Sequence, residues 1–224
     1  INAGTSWQRC LRVDNNDNVY TGWQGRQGDR DWWYGEVPLG FQVCPTDPNR
    51  AAISDFGFVH LTTNGGSFWA QAYVDPADQN LTNALTPKNR MYHSVGLEDT
   101  TCWGLGWMDR TNVFACFTDI MGCRSTDSGA AWGFPSGLSY NSTYQAIKHP
   151  SAGILYASAS SVHDMYAWDR YCKDADLDAG TGAIIYSTGQ ATGWQTLHNF
   201  GHPVVGLAMD PMNSSRMLAT VVHS

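Results

Sequence analysis

The residues of this sequence best placed for chemistry are acids that directly follow short strand-like runs. Asp55 follows Ala51–Ser54, Asp119 follows Val113–Thr118, and a third such position holds His163-Asp164. Hydrolysis of a glycosidic bond needs two carboxyl groups, one protonated as the acid and one ionised as base or nucleophile, roughly 5–10 Å apart. Asp119 lies between Cys116-Phe117-Thr118 and Ile120-Met121. Partial burial among those apolar groups would raise its pKa and suit it to the acid, with Asp55 or Asp164 as the ionised partner. Asp is also common at tight turns for purely conformational reasons, so a turn-forming role stands beside the catalytic one.

Aromatic residues are the second feature. Trp32, Trp33 and Tyr34 form a run, and Trp103, Trp107 and Trp168 lie in or beside long irregular segments. Together with His163 they are candidates to bind a substrate, because aromatic rings cover the apolar faces of sugars while polar neighbours meet the hydroxyl edges. Trp103 and Trp107 have a competing reading as cover for the core. The alternating Asp174, Asp176 and Asp178 resemble the opening of a calcium loop, but Ala179 and Ile185 stand where an EF-hand needs Gly and Glu. The expectation is therefore no cofactor, with calcium at these aspartates as a weak candidate and an acidic, solvated loop as the simpler reading.

Composition removes several classes. Charged residues make up only 15% against 10 Trp and 10 Tyr, unlike a disordered chain or a helical bundle. The net charge of −7 and the absence of any Lys/Arg run exclude a nucleic-acid surface read from sequence. No apolar stretch is long enough to span a membrane. Six cysteines, none in CxxC spacing, read equally as buried free thiols or as disulfides; their even number, low Lys and abundant Asn, Ser, Thr and Trp favour a secreted, extracellular protein, in which the sequons at Asn80, Asn141 and Asn213 are glycosylation candidates. A chain that begins at Ile1 reads as processed or truncated.

The elements that must position these residues follow from an internal repeat. Ser125-Thr126-Asp127-Ser128-Gly129-Ala130-Ala131-Trp132 fits Ser/Thr-x-Asp/Asn-x-Gly-x-x-Trp, as does the segment from Thr62 through Asn64 and Gly66 to Trp69. The segment from Ser187 to Trp194 keeps the ends of the pattern, and Asn2 through Trp7 keeps its second half. The four tryptophans are 62, 63 and 62 residues apart. This pattern resembles the Asp-box of BNR-type β-propellers, a group that includes sialidases, xyloglucanases and sortilin-type receptors. The resemblance implies an all-β fold of four-stranded blades, with strands A to D in each. An Asp-Pro-type turn joins A to B, and the box is the hairpin between C and D. Its Asp or Asn accepts backbone N–H bonds, its Gly takes φ > 0, and its Trp packs between sheets. On this reading Asn2, Trp7, Asn64, Gly66, Trp69, Asp127, Gly129, Trp132 and Trp194 are structural.

At 62 residues per blade the chain holds about 3.6 blades, with the last ending after strand B. A closed propeller has about four to eight. The expectation is a segment, residues 1–224, completed by a longer chain or by a second subunit. An up-and-down blade places the A–B turns and boxes at one end and the B–C turns and D–A connections at the other. Asp55, Asp119 and His163-Asp164 all fall at the second, loop-rich end. There Thr118-Asp119-Ile120-Met121-Gly122 and the stretch Ser54-Asp55-Phe56-Gly57-Phe58-Val59-His60 are similar to the two carboxylate motifs of xyloglucanase-type enzymes. A sialidase reading is weaker, since it needs an arginine triad and a Tyr–Glu nucleophile and the only glutamates are Glu36 and Glu98. The resemblance implies a polysaccharide as substrate or partner. A non-catalytic binding or assembly module remains the other reading. Finally, a hairpin centred on Asp119-Ile120 would set Cys116 opposite Cys123, at a separation that a disulfide accepts.

Overall fold

The structure is a computed structural model that describes residues 4–27, 39–55, 57–96, 100–163, 165 and 173–222. These residues form antiparallel sheets with one short α-helix. The chain divides into two compact units, Ile1–Pro87 with Tyr92–Asp99, and Lys88–Met91 with Thr100–Ser224. Among the described residues no helix is long and apolar enough to cross a membrane.

The first unit is built on one sheet. Strands β2 (Gly40–Cys44), β3 (Asp47–Ser54), β4 (Val59–Thr62) and β5 (Trp69–Gln71) run as an antiparallel meander, and β1 (Val19–Tyr20) adds to β5 in parallel. Exposure follows position: edge strand β2 is largely open, while Trp69 is buried against Val13 and Val19. The sequence suggests a hairpin around Asp14–Asn18. The chain instead makes a short 3-10 turn over Asp14–Asn16, in which the Asn16 amide reaches across to the Ala84 carbonyl (2.6 Å). The long segment after β5, expected as an irregular loop, supplies core instead. Tyr73, Val74 and Tyr92 pack with Phe58 and Trp23.

The second unit carries three sheets. β6 (Cys102–Trp107), β7 (Val113–Phe117) and β8 (Gly122–Ser125) form one. The next holds β9 (Ser142–Lys148), β10 (Ile154–Ser160), β11 (Gly182–Thr188) and β12 (Gln195–Asn199), and the last holds β13 (Val204–Met209) and β14 (Met217–Val221). Each is an up-and-down meander, so successive connections alternate between the sheet's two ends. β6 and β7 pack on β9, and β9 and β10 pack on β13. The first of these packings is tight: a Cβ on Gly106 would lie 2.7 Å from the Ala146 Cβ, so only glycine fits there. β7 is buried on both faces, which explains its unbroken apolar sequence Val-Phe-Ala-Cys-Phe.

The first turn of each sheet repeats one device. Side chains of Asp47, Asp109, His149 and Asp210 each accept the amide N–H two residues on, at 3.0, 2.9, 3.2 and 2.8 Å. Asp109 also accepts from the Asn112 amide and side chain, and these donors hold its carboxyl down at about 2. In the first sheet the reversal falls at Pro45-Thr46, just before the Asp47-Pro48 expected from sequence, because Cys44 already pairs with Asp47.

Candidate functional site

The two turns 62–69 and 125–132 share one hydrogen-bond pattern. Thr62 Oγ1 donates to Asn64 Oδ1 (3.0 Å) and accepts from the Asn64 and Gly66 amides, while Asn64 Oδ1 accepts from the Phe68 amide. Ser125, Asp127, Gly129 and Ala131 make the same four bonds. Gly66 (φ 82°) and Gly129 (φ 96°) sit where a side chain would be strained, each with its indole three residues on lying close by. In the third turn, which has no acid, Ser187 Oγ bonds the Gly193 carbonyl at 2.5 Å instead. Trp69 and Trp194 are buried and Trp132 is partly so. Trp7 departs from the expected packing, being 89% exposed. Asn2 lies outside the described residues.

At the opposite end of the sheets lie the turns that join each second strand to the third. Asp119 occupies such a turn, between β7 and β8, and Asp119 (φ 63°) and Met121 (φ 65°) both have positive φ. The Ile120 amide bonds the Thr118 carbonyl (2.6 Å) and the Gly122 amide bonds that of Ile120 (2.7 Å), so two three-residue turns follow one another. Such backbone costs about 1–3 kcal/mol per residue and persists only where its surroundings hold it. The holding contacts come from the start of β9. Thr118 and Ser142 hydroxyls meet at 2.9 Å, Asn141 Oδ1 accepts from the Asp119 amide (3.4 Å), and the Thr143 hydroxyl bonds the Met121 carbonyl.

His163, from the β10–β11 connection, places Nε2 2.7 Å from Asp119 Oδ1, with side chains 31% and 13% exposed. Turns at the same end of neighbouring sheets thus bring an imidazole and a carboxylate together.

Asp55, at the corresponding turn of the first unit, faces inward. Its Oδ1 accepts from the Gly57 (2.9 Å) and Phe58 (2.7 Å) amides. Burial raises its pKa to about 6, against the lowering effect of those two bonds. Trp103 lies partly buried beside Tyr144, ring centres 5.6 Å apart, while Trp107 is 48% exposed at the end of β6. Asp164, Trp32, Trp33, Tyr34 and Trp168 lie outside the described residues.

One expectation, the disulfide, is corrected, and two others find a different local setting. Cys116 pairs with Gly122 and Cys123 with Ala115, so the two thiols are one register step out of line and point to opposite faces. Both are free thiols, as are Cys10, Cys44 and Cys102, and burial pushes Cys116 up to about 12. The sequon residue Asn80 is buried, and its amide nitrogen bonds Thr21 Oγ1, the Gly22 carbonyl and the Tyr92 hydroxyl. Asn141 is partly buried and engaged in the Asp119 turn, whereas Asn213 is exposed. Asp174, Asp176 and Asp178 belong to α1 (Asp174–Ala179) and not to a loop. Its helical geometry turns Asp176 away from the other two, and no metal-holding group of three or more His, Cys, Asp or Glu exists among the described residues.

No family model matches the chain, and no curated protein matches it. Among solved structures it is similar to an ancestral GH74 enzyme, at 13% identity and a TM-score of 0.41, over 84% of this chain and 29% of that one. It is also similar to YCF48 bound to a D1 peptide (13%, 0.34, 78% and 44%) and to YCF48 from Cyanidioschyzon merolae (10%, 0.33, 83% and 64%). The chain spans less than two thirds of each of those chains. Likeness at this level carries no activity across.

Proposed function

We propose that this chain is a section of a secreted Asp-box β-propeller, related to xyloglucanase-type glycoside hydrolases, that acts on polysaccharide at the Asp119 end of its sheets. The observation that carries this reading is the Asp119–His163 pair, held at 2.7 Å by turns from two neighbouring sheets. Asp119 is the reacting carboxyl group and His163 sets its proton. Asp164, adjacent to His163 in sequence, is the complementary carboxylate. Further blades, from a longer chain or a second subunit, complete the ring.

A second reading, a non-catalytic glycan-binding or assembly module, draws on a specific observation. The neighbour of Asp119 is an imidazole, whereas the hydrolytic chemistry calls for a second carboxyl group. One experiment separates the two. Wild type and Asp119→Asn are incubated with a panel of plant and microbial polysaccharides, and reducing ends and retention on immobilised glycan are both measured. Hydrolysis by wild type alone, with binding kept by both, supports the enzyme. Binding without hydrolysis supports the module, and neither activity overturns both.

A further inference from the structure

Arg124 lies at the other end of the same unit, in β8, directly opposite Phe114 of β7 and therefore on the face that packs towards Trp194. It is 7% exposed. Its Nε–H donates to Asn89 Oδ1 at 3.0 Å, and Nη1 lies 3.4 Å from the Gln190 carbonyl. Among the described residues no carboxylate lies within ion-pair distance of it, and its Nη2 makes no hydrogen bond to them although it is not sealed from solvent. Burying a guanidinium with no counter-ion is costly, and the cost shows as a pKa lowered by desolvation. If packing alone were required, Met or Leu would serve at less cost.

The segment that carries Asn89 is fixed in place. Residues 88–91 are pinned to the turn after β8: the Asn89 amide bonds the Phe134 carbonyl (2.6 Å), and a Cβ on Gly133 would lie 2.2 Å from the Arg90 carbonyl oxygen. Lys88 Nζ stands 5.6 Å from the centre of the Phe134 ring, and Arg90 follows Asn89 directly.

We infer that Arg124, between Asn89 and Gln190, is the floor of an anion site that takes a carboxylate group. The free edge of a guanidinium presents parallel N–H donors that match a carboxylate's two oxygens. One desolvated cation balances one negative charge. A dianionic phosphate would leave excess charge beside the Gln190 carbonyl. This site lies at the box end of the sheets, away from Asp119, and stands or falls independently of the hydrolase reading.

The test is a titration of the 15N-labelled chain at constant ionic strength with sodium acetate and sodium D-glucuronate. D-glucose serves as the neutral control and inorganic phosphate as the alternative anion. The expected result is a saturable shift of the Arg124 Nε–H and Asn89 signals with both carboxylates and none with glucose. Arg124→Met should lose the saturable response of Asn89, and Arg124→Lys, which keeps the charge but not the planar fork, should weaken it. Failure of the wild type to saturate, an unchanged response in Arg124→Met, or tighter binding of phosphate each overturns the assignment. Should Arg124→Met not fold, the wild-type titration with its glucose and phosphate arms still decides.

Discussion

Asp55 and Asp119 hold the same place in their sheets, each just beyond the second strand, yet they are used in opposite ways. The Asp55 carboxylate folds back into its own turn and caps the Gly57 and Phe58 amides. Phe58 below it packs on Trp23 and Tyr73, with ring centres 4.7 and 4.6 Å away. Asp119 keeps its carboxylate out of its turn. The turn is held from outside by Asn141, Ser142 and Thr143, and Asp119 Oδ1 lies 2.7 Å from His163 Nε2. The same residue type at the same topological position is a local fastener in one case and a long-range contact in the other. What separates them is whether a neighbouring strand takes over the work of bracing the turn.

The largest expected difference is in chemistry. Asp119→Asn should lower any polysaccharide hydrolysis by at least about 100-fold, the scale for losing a general acid or base. Full retention of the rate in that variant breaks the contrast. Stability should separate the pair in the other direction. Asp55→Gly removes two turn-capping bonds and should cost about 1–2 kcal/mol, a drop of a few degrees in Tm. Asp119→Gly relieves a positive φ in a turn that Asn141, Ser142 and Thr143 hold from outside, so its Tm by differential scanning calorimetry should hold or rise. Equal losses at both sites would show that Asp119 is a fastener too.

A pH effect of order 1 kcal/mol should sharpen the comparison further. Asp55 has a folded pKa of about 6 against 3.8 for the free group. Its proton therefore contributes stability that is complete below about pH 4 and is lost as pH rises through about 6. Tm of wild type should fall across that window relative to Asp55→Asn, and parallel curves would argue that Asp55 titrates normally. The smallest effect is expected for His163→Gln, which keeps a donor towards Asp119. Chemical denaturation should place it within about 1 kcal/mol of wild type. A larger loss would mean that the imidazole braces the turn.

Much of the scaffold was legible before any coordinates, and the reason is range. The hydrogen bonds of turns 62–69 and 125–132 join residues two to four apart, so Thr62, Asn64 and Gly66, or Ser125, Asp127 and Gly129, announce the turn by their order alone. Strand alternation and the spacing of the tryptophans then place the sheets and identify the end at which Asp55 and Asp119 lie. The parts that misled depend on one-step register or on distant partners. Cys116 and Cys123 needed the pairing of β7 with β8 to one residue, which alternation does not supply. Asn80 reads as a surface sequon until Thr21, Gly22 and Tyr92 close around it.

The sequence by itself determined that this chain makes β-hairpins, where they turn, and which residues lie at which end of each sheet. Those are properties of backbone sterics and of bonds within a few residues. Only the tertiary structure decided that Asp119 meets His163, that Asp55 turns inward, and that Arg124 is buried between Asn89 and Gln190. Each of these depends on which side chains the packing of separate elements brings within about 3 Å, and no local pattern encodes that.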